Sequence, residues 1–175
     1  RPIQYILGFA PFMGKKFKVD ENVLIPRDDT EILVKETLVE IERFKGAKVL
    51  DIGTGSGIIA CMLGHMENKV EVLGVDISLG ALDVAISNMK SLNLTRKVMF
   101  RKSDLFSNIR ENEKFDIIVS NPPYIPKKMY EEIQAEVKFE PYNALFVEDD
   151  EGSEFYEKII KDAPKFLNED GEVLF

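Results

Sequence analysis

The chain has 175 residues, enough for one domain with a sizeable core, and its 45% hydrophobic and 31% charged residues read as a soluble globular protein. A formal net charge of −8 argues against broad electrostatic capture of nucleic acid, and no apolar run is long enough to span a bilayer. A single cysteine, Cys61, excludes an internal disulfide framework and fits a reducing cytosol, so a cytoplasmic location without a membrane partner is expected.

Arg1-Pro2-Ile3-Gln4-Tyr5 opens without a leader pattern, and Val173-Leu174-Phe175 stops inside an apolar strand, so both ends read as cut from a longer protein whose sheet has further C-terminal strands. Gly8, Pro11, Gly14 and the alternating Phe17 and Val19 predict a small β-hairpin and linker over residues 1–26, ahead of a main domain over 27–175. Asp28-Asp29-Thr30-Glu31 opens a helix, with Thr30 or an aspartate as N-cap and acids in the first turn. Apolar runs then predict strands over 48–52, 71–77, 98–102, 115–120 and 172–175, and periodicity predicts helices over 58–66, 79–92 and 154–167. Strands alternating with helices imply an α/β fold with a doubly wound, mostly parallel sheet.

Asp51-Ile52-Gly53-Thr54-Gly55-Ser56-Gly57 joins a strand to a helix through alternating glycines, which permit a tight turn and close approach of a ligand to the backbone. Such a loop alone is weak evidence. The spacing is not that of a dinucleotide fingerprint, and no lysine follows to grip phosphate. Asp76, about 20 residues further on at a strand end, can bind both ribose hydroxyls. Asp104, ending the next strand, can accept from an adenine amino group, with Leu105 or Phe106 packed on the ring. The expected ligand is adenosine with a short charged tail, as in S-adenosylmethionine.

Asn121-Pro122-Pro123-Tyr124 ends the apolar run over 115–120. Its two prolines stiffen the turn, and the carboxyl end of a parallel strand is where open α/β sheets bind ligands. The Asn121 side chain and the Pro122 carbonyl suit gripping a planar NH2 group. A conjugated NH2 nitrogen is a poor nucleophile because its lone pair is delocalised, so transfer to it depends on orientation and on dipoles aimed at developing positive charge. Asn121 Oδ1 and the Pro122 carbonyl would accept from the target NH2; for the amide target that the family resemblance given next implies, the Asn121 NH2 would donate to its carbonyl and Tyr124 would pack on the amide plane. No strong base is required, since the proton can leave after transfer.

With these residues in view, the chain resembles a class I S-adenosylmethionine-dependent methyltransferase of Rossmann-like fold, and more narrowly the peptide chain release factor N5-glutamine methyltransferases. The resemblance is carried by Leu24-Ile25-Pro26-Arg27-Asp28-Asp29-Thr30-Glu31, the glycine loop, Asn121-Pro122-Pro123-Tyr124-Ile125 and Phe139-Glu140-Pro141 with Ala144-Leu145, and runs nearly end to end. Asp28 stands where the family usually has proline, and Leu105 where an aromatic residue is common. The resemblance implies methylation of the glutamine in the Gly-Gly-Gln loop of a release factor, with no direct nucleic-acid partner. It implies catalytic Asn121, Pro122 and Tyr124, and a donor site of Asp51, Gly53, Thr54, Gly55, Ser56, Gly57, Asp76, Asp104, Leu105, Phe106 and Asn121. Arg27, Glu31 and Pro123 join the tetrad as substrate-binding candidates.

Each assignment has a plainer competitor. Arg27 and Glu31 lie one helical turn apart and would also make a surface ion pair. Cys61 reads as a small core residue, His65 as capping its helix or facing solvent, and Glu148-Asp149-Asp150-Glu151 as a solvated loop. No His, Cys or acid cluster has metal-ligand spacing. The same tetrad could serve N6-adenine or N2-guanine methylation in DNA or RNA, but that activity needs a route to a flipped base and a basic groove. A non-catalytic scaffold would typically have lost the loop or the tetrad, and both are intact.

Overall fold

The structure is a computed structural model describing residues 1–175. A short helix, α1 (Ile3–Leu7), ends at Gly8 with φ 75°, a left-handed cap that glycine adopts freely. The predicted hairpin follows as β1 (Phe9–Phe12) and β2 (Lys15–Lys18). Its two-residue turn puts both Met13 (φ 45°) and Gly14 (φ 76°) at positive φ, the twist that antiparallel strands favour. Lys16 and Lys18 point outward, while Phe12 and Phe17 face inward and meet edge to face at 6.2 Å. Tyr5, Ala10, Val19, Val23 and Ile25 pack on Ala81 and Val84, so this N-terminal segment shares a core with the main body.

Helix α2 (Asp28–Ile41) starts without a side-chain cap. Arg27 is its N-cap residue, and Thr30, expected as a cap, lies inside the first turn with its hydroxyl turned elsewhere. The acids Asp28, Asp29 and Glu31 complement the helix dipole instead. The strands β3 (Ala47–Ile52), β4 (Val70–Asp76), β5 (Val98–Lys102), β6 (Phe115–Ser120) and β9 (Leu167–Leu174) form one parallel sheet in the order β5-β4-β3-β6-β9. Between them run α3 (Ile58–Met66), α4 (Leu79–Ser91) and α6 (Glu154–Asp162). Alternation along the strands divides the core: Val49, Ile117 and Val119 meet α2 and α3, whereas Leu50, Ile52 and Ile118 meet Ile159 of α6 with Phe106 and Phe166.

Three departures from the sequence reading have local causes. The helix predicted to reach residue 167 ends at Asp162, and Pro164 sits in a single 3-10 turn, Ala163–Lys165, having no N–H to continue the ladder. The last strand begins five residues earlier than 172, because Leu167 pairs with Phe115 before the chain bulges and resumes at Glu172 opposite Ile117. Residues 125–153, for which no element was predicted, carry β7 (Ile125–Pro126), α5 (Tyr142–Leu145) and β8 (Phe146–Val147), with β7 and β8 paired in parallel. Tyr130, Tyr142 and Phe146 hold that segment together, the last two rings stacked at 4.7 Å. No helix is long and apolar enough to cross a membrane.

Candidate active site

Register brings the strand ends to one level. Ile52 pairs with Val75 on one side and Ser120 on the other, and Asp76 pairs with Lys102. The residues that follow, Gly53, Ile77, Ser103 and Asn121, therefore leave the sheet around a common cleft of about 300 Å³. It lies where the strand order reverses about β3, the usual ligand position in such sheets.

The glycine loop is fastened by its own polar atoms. The Thr54 N–H donates to the Val75 carbonyl (2.9 Å), and its hydroxyl donates to Asp51 Oδ2 (2.6 Å). The Gly57 N–H donates back to the Thr54 carbonyl (2.8 Å). Gly53 and Gly55 have φ 68° and 55°, and a methyl group on either would point into open space. Bare backbone thus lines the cleft there. Gly57 does a different job: a Cβ would come within 2.8 Å of Phe100 Cζ and 2.9 Å of Ala85 Cβ, so it packs the loop against the body.

Asp76 lines the cleft with both oxygens anchored, Oδ2 by the Gly55 N–H and Oδ1 by the Ser78 N–H, each at 2.9 Å. A carboxylate has further lone pairs, so it can still accept from a ligand. Ile77 beside it lines the cleft and is 55% exposed, an apolar surface that sequence reading left in the strand. Ser103 donates its hydroxyl to the Leu105 carbonyl (2.7 Å) and accepts from the Asn108 N–H (2.9 Å). That lock holds Leu105 at φ 49°, turning it to the cleft beside Asp104.

The structure places several of the expected site residues outside the cleft lining. Phe106 cannot pack on a ligand in the cleft, because its ring is buried on the other side and stacked on Phe166 at 4.8 Å. Asp51 is fully buried beneath the loop and does not line the cleft. Burial pushes its carboxyl up to about 7, against the pull of hydrogen bonds from the Thr54 hydroxyl and the Ala60 N–H. Arg27 does not pair with Glu31. It reaches Glu140, whose carboxylate is buried, while Glu31 pairs with Lys35 at 3.5 Å, and neither Arg27 nor Glu31 lines the cleft. Tyr124 is 54% exposed and stands outside the lining.

At the tetrad, Asn121 and Pro123 line the cleft and Pro122 is buried behind them. Ser120 donates its hydroxyl to the Ile52 carbonyl (2.7 Å), and Asn121 Nδ2 donates to Thr30 Oγ1 (3.1 Å). Two walls were not legible beforehand: residues 22–26, of which Asn22, Val23, Leu24 and Pro26 line the cleft, and residues 141–144. The motif Phe139-Glu140-Pro141 marked the second wall without saying where it goes. Asn88, 2% exposed, ties hairpin to loop: its Nδ2 donates to the carbonyls of Lys18 (3.1 Å) and Ser56 (2.9 Å). Its Oδ1 accepts from the Lys18 N–H (2.7 Å). His65 is exposed, Cys61 is core, and no group of three or more His, Cys, Asp or Glu side chains is placed to hold a metal.

A five-stranded parallel sheet wrapped by helices, with a glycine loop after its central strand and acids at the next strand ends, is the fold of the class I methyltransferases. The chain belongs to the methyltransferase small domain family, whose model matches residues 28–175. It is 43% identical to the release factor glutamine methyltransferase of Fusobacterium nucleatum subsp. nucleatum, the match covering 100% of this chain and 49% of that one. With the protein of the same name from Streptococcus pneumoniae the identity is 45%, over 99% of this chain and 60% of the relative. The chain thus spans about half to three fifths of the length of these curated relatives. Among solved structures, the ribosomal protein L11 methylase of Lactobacillus delbrueckii subsp. bulgaricus superposes with a TM-score of 0.56 at 27% identity, over 94% of this chain and 67% of that one.

Proposed function

We propose that this chain carries the catalytic domain of an S-adenosylmethionine-dependent enzyme that methylates the side-chain amide nitrogen of a glutamine in a peptide chain release factor. The observation that carries the reading is Asn121 opening, from a proline-stiffened strand end, into the same cleft as the bare glycine backbone and Asp76. The donor site fits its cofactor. Gly53 and Gly55 leave room that a side chain would fill, and Asp76 keeps free lone pairs for ribose hydroxyls. Ile77 and Leu105 offer apolar surface to an adenine ring, with Asp104 beside them. S-adenosylmethionine, when bound, supplies a methyl group activated by an adjacent sulfonium.

The protein's own part is orientation. Asn121 Oδ1 and the Pro122 carbonyl accept from the glutamine NH2 and hold its nitrogen toward the donor site. Pro122 and Pro123 keep those acceptors from turning away, and such placement accounts for much of the acceleration open to a reaction without a strong base. Tyr124, exposed beyond Pro123, meets the incoming chain. The relatives named release factor glutamine methyltransferase support the substrate, and a cytoplasmic site of action goes with that reading. The reading divides the chain into a hairpin and linker (1–26) and a methyltransferase domain (27–175).

The test is mass spectrometry of a release factor, and of RNA and DNA in parallel, after incubation with the full-length protein and S-adenosylmethionine. A single added methyl on the glutamine of the Gly-Gly-Gln loop is expected. Methyl groups found only on nucleic acid would sink the reading. Asn121→Ala should bind the cofactor normally in calorimetry while turnover falls by about 100-fold or more.

A further inference from the structure

Thr30 is 5% exposed in the first turn of α2. A threonine hydroxyl there ordinarily caps the helix or returns to a carbonyl one turn back, as Thr37 does by donating to Leu33 at 2.7 Å. Thr30 does neither. Its side-chain partner is Asn121 Nδ2 at 3.1 Å, 91 positions along the chain. A buried hydroxyl must be satisfied, and valine would fill the same space without that demand.

The backbone around Asn121 is already fixed. Ser120 is tied to the Ile52 carbonyl, and the two prolines follow. What remains free is the side chain, whose terminal torsion is broad and roughly two-fold. A carboxamide is planar, so holding Nδ2 on one edge sets the direction of Oδ1 on the other.

We infer that Thr30 is a positioning residue: its hydroxyl holds the Asn121 amide by Nδ2 and thereby presents Oδ1 to the cleft as the acceptor for the target NH2. The inference rests on the reading of Asn121 as the group that grips that NH2. Without the hydroxyl the amide can turn over, setting a donor where an acceptor is needed. In this structure the hydroxyl accepts from Nδ2, and its loss would free the amide's terminal torsion.

The test compares wild type, Thr30→Val and Thr30→Ser in the full-length protein. Thr30→Val should lower kcat for the release factor by about 10- to 100-fold with the KM for S-adenosylmethionine within about twofold, whereas Thr30→Ser stays within about threefold. A packing role alone would reverse that order, since valine fills the site better than serine. A second readout needs no turnover. In protein carrying isotope-labelled asparagine, the Asn121 side-chain NH2 signal, identified by its loss in Asn121→Ala, should exchange with water faster in Thr30→Val and as wild type in Thr30→Ser. Equal kcat in all three proteins, or an NH2 exchange that ignores the valine, overturns the inference. If wild type transfers no methyl to the release factor, the functional reading fails, and the exchange measurement still decides whether Thr30 holds Asn121.

Discussion

Asp51 places a carboxyl group where water does not reach, and its Oδ2 is what orients Thr54 in the glycine loop. Its pKa is raised from 3.8 to about 7 in all: burial raises it most, hydrogen bonds from the Thr54 hydroxyl and the Ala60 N–H lower it, and the nearby Asp76 raises it. In the unfolded chain an aspartate loses its proton near ~3.9. Between about pH 4 and pH 7 the folded protein therefore binds more protons than the unfolded one, and stability falls with rising pH. Stability from this group is full below about pH 4 and lost as the pH climbs through about 7. Asparagine in its place does not titrate. Urea midpoints measured from about pH 4 to 8 should show wild type losing ground steadily to Asp51→Asn and then levelling off. A difference between the two that is flat across that range would mean that Asp51 stays ionised when folded.

The glycine loop shows how one element divides its labour, and substitutions separate the two duties. Gly57→Ala meets Phe100 and Ala85 at under 3 Å as well as the strain of φ 75°, so it should cost about 2–4 kcal/mol of stability. Gly55→Ala carries the left-handed penalty alone, about 1–2 kcal/mol, but puts its methyl group into the cleft. Thermal denaturation should rank Gly57→Ala as the less stable, and calorimetry should show Gly55→Ala losing about tenfold or more in S-adenosylmethionine affinity. Wild-type affinity in Gly55→Ala would remove this loop from the donor site. The loop and the strands were legible because buried parallel strands read as continuous apolar runs bounded by turn residues. The bounds of β5 and β6 follow from sequence for that reason. The start of β9 does not, because Asn168-Glu169-Asp170-Gly171 reads as loop, and its link to β6 includes a long-range contact, Asn168 Nδ2 donating to Asp116 Oδ1 at 2.8 Å. The same limit separates Leu105 from Phe106. Both follow Asp104, and only the backbone turn locked by Ser103 decides which one faces the cleft. The acids and Asn121 could be placed because they end strands of one sheet. The walls at 22–26 and 141–144 come from segments more than a hundred residues apart, and no local pattern records that they meet.

What joins those walls is a buried carboxylate. Glu140 has a side chain 2% exposed, with Oε1 paired to Arg27 and Oε2 accepting from the Ile25 N–H at 3.0 Å. Arg27 also donates to the Ile25 carbonyl (3.1 Å), and Tyr5 donates its hydroxyl to the Val23 carbonyl (2.6 Å), carrying the brace back to α1. A buried ion pair adds little net stability, but removing one partner is costly when the other is left buried and charged. The two ends are unequal here, since Arg27 is 41% exposed and can take water in place of its partner, whereas Glu140 cannot. Arg27→Ala should therefore destabilise by about 3–5 kcal/mol. Glu140→Gln, which keeps the size and an acceptor for the Ile25 N–H, should cost only about 1–3 kcal/mol. The opposite ranking in urea denaturation would mean that Glu140 is neutral in the folded protein and that Arg27 contributes by packing alone. The location of the damage is the sharper measurement. In Arg27→Ala, backbone hydrogen exchange should quicken together over residues 22–27 and 139–145 while β3, β4 and β6 keep their protection, because local opening releases a brace without unpairing a sheet. Quickening confined to one of the two segments would show that they are held separately, and that the cleft has two independent walls rather than one clasp.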